Sequence, residues 1–243
     1  MALTPNEHPA LLEIPHPIAC TVVGRLNRFV VQVQAGDQLL RASTNNTGRL
    51  ADFVVPGKRC YCRVHPRPLK TDLSLFAIAD SNGWAIVDTQ LQMRAFENAA
   101  SHGNLPWLEG CHVDRRDSRL DDSVIDYLFQ CGERQGYLEV KSAVMREGEY
   151  AMYPDCPSAR GRRHIRALTG HAEGGGKSII LFIAALPGVK AFKPYRDGDP
   201  QLYGLLGAAR DAGVVLKALN IIYLPADSTI RLLNPDLPVE LSQ

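Results

Sequence analysis

Two apolar segments that flank a short polar stretch constrain the fold of this chain most. They span residues 124–129 and 137–142. Short apolar runs bounded by turn residues are typical of β-strands joined in a hairpin. Folding the two segments about a midpoint between Gly132 and Glu133 predicts an antiparallel pair with a defined register.

This register brings three ionisable side chains together. Asp126 lies directly opposite Glu139, and facing residues of an antiparallel pair have Cβ atoms about 5 Å apart. Lys141 lies two residues beyond Glu139 and therefore on the same face of its strand. The sequence thus predicts that two carboxylates and one amine meet at one point of a sheet.

A divalent cation would explain two carboxylates on strands that are otherwise apolar, because buried ionised carboxylates are costly unless they are paired or bound to a metal. Mg²⁺ or Mn²⁺ prefers hard oxygen ligands, and we expect Asp126, Glu139 and the Val140 carbonyl to supply them. Lys141 would orient or deprotonate a metal-bound water, or stabilise the departing charge, in the hydrolysis of a phosphodiester. The alternative is an ordinary ion pair between Glu139 and Lys141 on a half-exposed strand, with Asp126 facing water.

A strongly basic helix is predicted after the hairpin. Ser158 is a suitable N-cap, Ile165 and Leu168 lie on the side of the core, and Gly170 suits the C-terminal cap. The first turns carry a set of basic residues: Arg160, Arg162, Arg163, His164 and Arg166. We expect Arg160, Arg163 and His164 to contact nucleic-acid phosphates. The alternative is a solvated helix face.

Several short motifs occur together along nearly the whole chain. They lie at residues 27–29, 46–49, 56–57, 123–127, 138–142, 153–155, 160–165 and 208–214. In this combination the chain resembles the sugar fermentation stimulation protein family.

The resemblance implies two domains and a function. It implies a small N-terminal OB-like β-barrel in residues 1–88, followed by a mixed-sheet α/β domain of restriction-endonuclease-like type in residues 89–243. The second domain would be of the PD-(D/E)-x-K nuclease type, whose metal-binding acids correspond here to Asp126 and Glu139 and whose lysine corresponds to Lys141. The family description also implies binding to DNA.

The residues of the N-terminal region agree with a small barrel or sandwich. Short apolar or alternating runs recur at residues 20–24, 29–33, 39–42, 60–64, 73–79 and 84–87, with turn signals at residues 35–37, 56–57 and 82–83 between several of them. Candidates for a nucleic-acid groove are Arg25, Arg28, Phe29, Arg49, Arg63, Arg67 and Lys70. Scattered surface charge is the alternative.

Further elements are predicted in the C-terminal region. The pattern is helical from Leu91 to Ala100, which places the domain junction near residues 85–92. We expect a mixed-charge loop at residues 114–122, a central buried strand at 179–186, a helix from Asp199 to near Gly213 and a strand at 214–224. A mixed sheet covered by helices accommodates these elements.

Composition narrows the partners and the location of the protein. The formal net charge is only +1, so nucleic-acid binding has to depend on local basic patches. The absence of a long apolar run and of a signal-peptide pattern favours a cytoplasmic protein that does not bind membranes. The six cysteines are scattered, and we expect most to be buried thiols. Cys60-x-Cys62 with His65 only weakly suggests zinc.

The Gly174–Ser178 stretch of glycines, lysine and serine does not match a nucleotide-binding phosphate loop. Such a loop requires a glycine at the position of His171 and leads from a strand into a helix. Here a helix is expected to precede the segment and a strand to follow it, so a flexible loop is the better interpretation.

These observations predict a DNA-binding protein with a metal-dependent nuclease site. Single-stranded DNA, duplex DNA and RNA all remain open as substrates, as does the oligomeric state. The main alternative is a transcriptional regulator of sugar metabolism that binds DNA without cutting it. Asp126 and Glu139 argue against that alternative, because without a metal these two acids would repel the phosphates of DNA. A carbohydrate-binding protein ranks last, because no matching constellation of aromatic residues and carboxylates is evident.

Overall fold

The computed structural model describes residues 7–65, 70–81 and 83–241. The first half contains β1 (Ala10–Glu13), β2 (Ile18–Asn27), β3 (Val30–Ala35), β4 (Gln38–Ser43), β5 (Arg59–Val64), β6 (Leu73–Asp80), β7 (Gly83–Ile86), α1 (Thr89–Ser101) and β8 (Cys111–Leu120). The second half contains β9 (Ser123–Cys131), β10 (Arg134–Ser142), β11 (Met145–Glu147), β12 (Tyr150–Tyr153), α2 (Ala159–Glu173), β13 (Lys177–Ala184), β14 (Ala191–Pro194), α3 (Pro200–Asp211), β15 (Val215–Leu224) and β16 (Thr229–Leu237).

The chain forms two compact units. The first unit comprises the described residues up to Ala95 together with Ala185–Gly188 and Ile221–Leu233. The second unit comprises Phe96–Ala184, Val189–Asn220 and the described residues from Asn234 onward.

A closed five-stranded barrel dominates the first unit. Antiparallel pairings join β2 to β3, β3 to β4, β2 to β5 and β5 to β6. Parallel pairing of β4 with β6, through Ala42 and Leu73, closes the barrel. This is the connectivity of the OB fold. The six apolar runs predicted as strands correspond to β2–β7, and their inward residues, such as Val31 and Val33, are completely buried.

A mixed sheet has the strand order β1-β16-β15-β13-β10-β9-β8. Its strands β8, β9, β10 and β13 belong to the second unit. Strand β13 is almost wholly buried and runs parallel to both β10 and β15, which confirms the predicted central strand. A smaller sheet has the order β11-β12-β14. Glycines 174–176 lead from α2 into β13, in the predicted order of helix, turn and strand.

Three local predictions were wrong. Residues 114–122 do not form a loop: most of them lie in β8, at the edge of the sheet. An edge strand is held by its backbone pairing with β9, so its side chains can be charged and exposed. Helix α2 continues past Gly170 to Glu173, with Gly174 as its C-cap. Cys111 and Cys131 face each other across β8 and β9 in a disulfide, so these two are not free thiols.

Three of the other four cysteines are the buried thiols that the sequence predicts. Cys20, Cys60 and Cys62 are buried free thiols, whereas Cys156 is half-buried. The ring of His65 lies within hydrogen-bond distance of the hydroxyls of Ser43 and Thr71. Of the predicted positions, Arg67 and Asn82 lie outside the described residues. Within the described part of the chain, no helix combines the length and apolarity needed to cross a membrane.

Candidate active site

The hairpin of β9 and β10 has the predicted register. Backbone pairing runs from Cys131–Arg134 to Tyr127–Leu138, and Gly132 adopts a positive φ of 57° in the turn. The next facing positions along this register are Asp126 and Glu139. The alternation inferred from sequence therefore holds up to the charged pair.

At Asp126 and Glu139, side chains take the place of the backbone ladder. The backbone N–H of Asp126 donates to Oε2 of Glu139 (3.2 Å), and the backbone N–H of Val140 donates to Oδ2 of Asp126 (2.8 Å). The two carboxylates and the backbone of Val140 therefore meet at this point of the sheet.

Glu139 is the centre of a buried charged cluster. Its Oε1 accepts hydrogen bonds from Lys141 Nζ and from His164 Nδ1, both at 2.5 Å. Residue exposure is 2% for Glu139, 8% for Lys141 and 2% for His164. The Glu139–Lys141 ion pair exists, but it is buried and Asp126 is turned towards Val140. An ordinary ion pair on a half-exposed strand is therefore excluded.

Electrostatics distinguish the two carboxylates. Burial raises the pKa of Asp126, and the charge of Glu139 adds to this effect, so that the pKa reaches about 6. Burial would also raise the pKa of Glu139, but Lys141 and His164 outweigh it and lower the pKa to about 2. Burial lowers the pKa of Lys141, yet the charge of Glu139 more than compensates and the net shift is upward. Asp126 is thus the carboxylate whose charge is least compensated.

The chemistry of this cluster suits a hard divalent cation. Two carboxylates with mutual repulsion and a main-chain carbonyl are the donor types that Mg²⁺ or Mn²⁺ prefers, and a cation would relieve the raised pKa of Asp126. The side-chain ligands are few: within the described ranges, no three His, Cys, Asp or Glu side chains are grouped so as to hold a metal. A bound cation would therefore need water or a phosphate to complete its coordination.

Helix α2 contributes a residue whose role the sequence did not reveal. Ser158 caps the helix as predicted, by accepting the Gly161 N–H, and Ile165 and Leu168 are buried. His164 was expected on a phosphate-contacting surface, but its ring is buried against Glu139 because it lies on the core side of the helix. Arg160 and Arg163 are exposed, as predicted.

Arg160 connects the helix surface to the cluster. Its Nε donates to His164 Nε2 (3.3 Å). A guanidinium can only donate, so Nε2 accepts and the proton given to Glu139 lies on Nδ1. A histidine on the buried side of a basic helix is the only sequence signal for this contact.

The basic residues proposed in the first unit have different environments. Arg25 donates to the backbone carbonyls of Arg28, Gly48 and Arg49 and so holds two loops together. Arg28, Arg49 and Phe29 are exposed, and the guanidinium of Arg28 lies 5.7 Å from the centroid of the Phe29 ring. Arg28 and Phe29 therefore form an exposed pair of a cation and a ring, with Arg28 Nε also donating to the Thr47 carbonyl at 3.3 Å. Arg49 is exposed, whereas Arg25 has a structural contact.

Arg63 and Lys70, the other described candidates, also differ. Arg63 forms an ion pair with Asp88 at 2.9 Å, and the Asp88 side chain is only 1% exposed. Asp88 also accepts the backbone N–H groups of Gln90 and Leu91 at the start of α1. Lys70 is exposed. Arg63 therefore stabilises the entry to α1.

Comparisons with known proteins agree with this architecture. Residues 90–226 match the family model described as the sugar fermentation stimulation protein RE domain, and residues 23–87 match the N-terminal OB domain of the same family. The fold is therefore an OB-like barrel with a mixed-sheet α/β domain of restriction-endonuclease-like type.

Individual relatives cover most of the chain. The sugar fermentation stimulation protein homolog of Pyrococcus furiosus is 45% identical over 87% of this chain and 91% of its own length. The homolog of Archaeoglobus fulgidus is 42% identical over 94% of this chain and 98% of its own length. The solved structure of Pyrococcus furiosus SfsA in complex with Ca²⁺ superposes with a TM-score of 0.91 at 43% identity, covering 96% of this chain and 99% of that chain. The chain belongs to the sugar fermentation stimulation protein family.

Proposed function

We propose that this protein binds DNA and hydrolyses phosphodiester bonds at a divalent-metal site formed by Asp126, Glu139 and the Val140 carbonyl, with Lys141 as the catalytic amine. The observation that carries the proposal is the replacement of the β9–β10 ladder by two carboxylates. A strand pair gives up backbone hydrogen bonds at a buried position only if another interaction compensates. Here the two carboxylates accept the freed N–H groups of Asp126 and Val140, and a bound cation would offset the repulsion between these two acids.

Each residue has a defined task. Mg²⁺ or Mn²⁺, when bound, would supply an activated water and neutralise phosphate charge. The carboxylates of Asp126 and Glu139, on adjacent strands, would provide oxygen ligands for the metal. His164 keeps the Glu139 carboxylate in one orientation. Lys141 places a positive charge at the same point, where it can donate a hydrogen bond to the attacking water or to a phosphate oxygen. Arg160 and Arg163 offer exposed charges for the nucleic-acid backbone.

Two findings on relatives support the metal. The family model is named for an RE domain, and the superposing Pyrococcus furiosus structure is a complex with Ca²⁺. We propose that residues 89–243 form the catalytic module and residues 1–88 the nucleic-acid-binding module, with contacts from Arg28, Phe29 and Arg49 and a supporting role for Arg25. DNA is the proposed partner, and RNA is included in the test.

The decisive experiment is a cleavage assay with Mg²⁺ or Mn²⁺ on single-stranded DNA, duplex DNA and RNA. We expect metal-dependent cutting that falls at least about a thousandfold in Glu139→Gln, because that variant removes a charged ligand from the site. Glu149→Gln is the matched control: Glu149 pairs with Lys190 on the surface of the same unit, and its loss should not affect cutting.

A non-catalytic regulator is the second candidate, because Lys141 and His164 already satisfy Glu139 without a metal. Tight DNA binding that Glu139→Gln leaves unchanged, together with no cutting in either metal, would establish the regulator and refute the enzyme.

A further inference from the structure

The barrel of the first unit has a pocket that the proposed catalytic site does not use. Its volume is about 300 Å³. It lies beside the first half of β2, the start of β5 and β7, whereas Arg25 lies near the far end of β2. The lining residues are Ala19, Cys20, Thr21, Gln34, Gly36, Arg59, Cys60, Tyr61 and Trp84.

Strand register explains the polar floor of the pocket. Thr21 faces Gln34 on β3 and Arg59 on β5, so these three residues form one row across three strands. Ala19 and Tyr61 form a second facing pair. Each lies two positions along its strand from Thr21 or Arg59 and therefore on the same side of the sheet. The amide of Gln34 is held by the Gly36 carbonyl at 2.8 Å. The floor thus offers a hydroxyl, an amide and a guanidinium.

The wall of the pocket is aromatic. The rings of Tyr61 and Trp84 meet edge to face, with centroids 4.6 Å apart. The guanidinium of Arg59 lies 5.4 Å from the Trp84 ring centroid. Among the ion pairs formed within the described parts of the chain, none involves Arg59, and the residue is exposed. Arg59 thus lies beside the half-exposed indole of Trp84 and forms none of these ion pairs. This arrangement suits a ligand that is both aromatic and anionic.

We infer that this pocket binds one unpaired nucleotide, with its base against Trp84 and its phosphate at Arg59. Stacking on an indole suits the face of a nucleobase, and an arginine suits the adjacent phosphate. Thr21 and Gln34 are positioned for the polar edge of the base. A pocket of about 300 Å³ is at the small end for ligand sites and accepts one nucleotide. Paired bases are stacked on both faces, so the ligand is a free nucleotide or a nucleotide of a single strand.

This inference goes beyond the proposed hydrolysis, since it requires neither a metal nor cutting. The two can therefore fail separately. All binding measurements are made in EDTA, where the metal-dependent reaction is absent, and the cleavage assay is read independently.

The two tryptophans of the chain provide a direct probe. Trp107→Phe leaves Trp84 as the only indole, and its emission then reports stacking in the pocket. We expect saturable quenching on titration with deoxyadenosine 5′-monophosphate and with a twelve-nucleotide single-stranded DNA. Arg59→Gln in the same background should weaken binding of the mononucleotide at least about tenfold. The ratio of the two affinities distinguishes a free nucleotide from a strand.

Arg41→Gln is the matched control, because Arg41 is an exposed arginine of β4 that does not line the pocket. It should bind deoxyadenosine monophosphate as the parent does. If Trp107→Phe does not fold, labelled-oligonucleotide anisotropy on Trp84→Phe and Trp84→Leu replaces it, and only Trp84→Leu should lose affinity. No quenching by either ligand at millimolar concentration, or equal binding of deoxyribose 5-phosphate or glucose, would overturn the inference.

Discussion

Asp126 and Glu139 are neighbours with opposite electrostatic behaviour. Both are partly or fully buried, but Glu139 has a lysine and a histidine as partners, whereas Asp126 accepts a hydrogen bond from one backbone N–H. Burial and the charge of Glu139 raise the pKa of Asp126 to about 6, while the partners of Glu139 lower its pKa to about 2. At neutral pH Asp126 therefore lowers the stability of the metal-free protein and Glu139 raises it.

Asp126→Asn should stabilise the metal-free protein at pH 7.5. Because the pKa of Asp126 is higher in the folded state (about 6) than its ordinary value of 3.8, the folded protein binds more protons between these values and loses stability as the pH rises from about 4 to 6. We expect a gain of about 1–2 kcal/mol at pH 7.5 that vanishes below pH 4. Urea unfolding in EDTA at several pH values measures it. A gain that persists at pH 4 would contradict the assignment.

Glu139→Gln should have the opposite effect. The folded-state pKa of Glu139 is about 2, below its ordinary 4.5, so its charged form contributes stability above pH 4.5 that is lost as the pH falls towards 2. We expect a loss of about 2–3 kcal/mol at neutral pH, since Lys141 and His164 lose a charged partner. The same urea series checks the sign, and a variant as stable as the parent at pH 7.5 would show that the ion pair contributes nothing.

The elements around the site depend on close backbone contacts and on helix caps. Strand β10 lies between β9 and β13, and Gly136 allows this packing: an added Cβ would lie 2.4 Å from Phe129 Cζ and 2.8 Å from the Lys177 carbonyl. Asp199 joins two helices. It accepts N–H groups from Leu202 and Ser158 and pairs with Arg162.

Gly136→Ala should destabilise the protein by about 2 kcal/mol or more, because the methyl group must displace a buried ring and a backbone carbonyl. Gly204→Ala is the comparison, since nothing lies within 4 Å of its added Cβ in α3. There, alanine should stabilise the helix by about 0.5–1 kcal/mol. Thermal or urea unfolding measures both, and similar effects of the two substitutions would refute the steric argument.

Asp199→Ala should cost about 2–4 kcal/mol, since it removes the cap of α3 and leaves the buried ends of two helices without their acceptor. Asp211→Ala is the control. Its pair with Arg210 is exposed, and such pairs contribute about 0–1 kcal/mol. Urea unfolding of both variants tests the difference; a loss below 1 kcal/mol for Asp199→Ala would mean that water replaces the carboxylate.

Positive and negative charges nearly balance over the whole molecule, so ligand binding depends on local groups of residues. The net charge is +1, so long-range attraction of nucleic acid is weak and the carboxylate pair has to attract a cation locally. A ligand that binds only the folded state stabilises it in proportion to the logarithm of its concentration.

Mn²⁺ should therefore raise the melting temperature of the metal-free protein. At a hundred times the dissociation constant the gain is about 2.7 kcal/mol, or about 5–10 °C for a chain of this length. Asp126→Asn should abolish most of the shift, and differential scanning fluorimetry with and without EDTA measures it. An equal shift in Asp126→Asn would place the ion elsewhere.

The local sequence pattern was sufficient to predict much of the fold and part of the candidate site. The β9–β10 register follows from two apolar runs and a turn at Gly132, and it put Asp126 opposite Glu139. The N-cap at Ser158 and the buried strand β13 follow from equally local signals, and the barrel strands follow from short alternating runs. These features depend on side-chain period and turn chemistry, which are properties of neighbouring residues.

Tertiary contacts decided the rest. Half of the residues of β8 are charged, and only its pairing with β9 makes it a strand. His164 lies 25 residues from Glu139, and the packing of α2 over the sheet brings the two together. The pKa of Asp126 and the opposite shift of Glu139 depend on burial and on distances between side chains. Such quantities arise when distant segments meet, so no local pattern contains them.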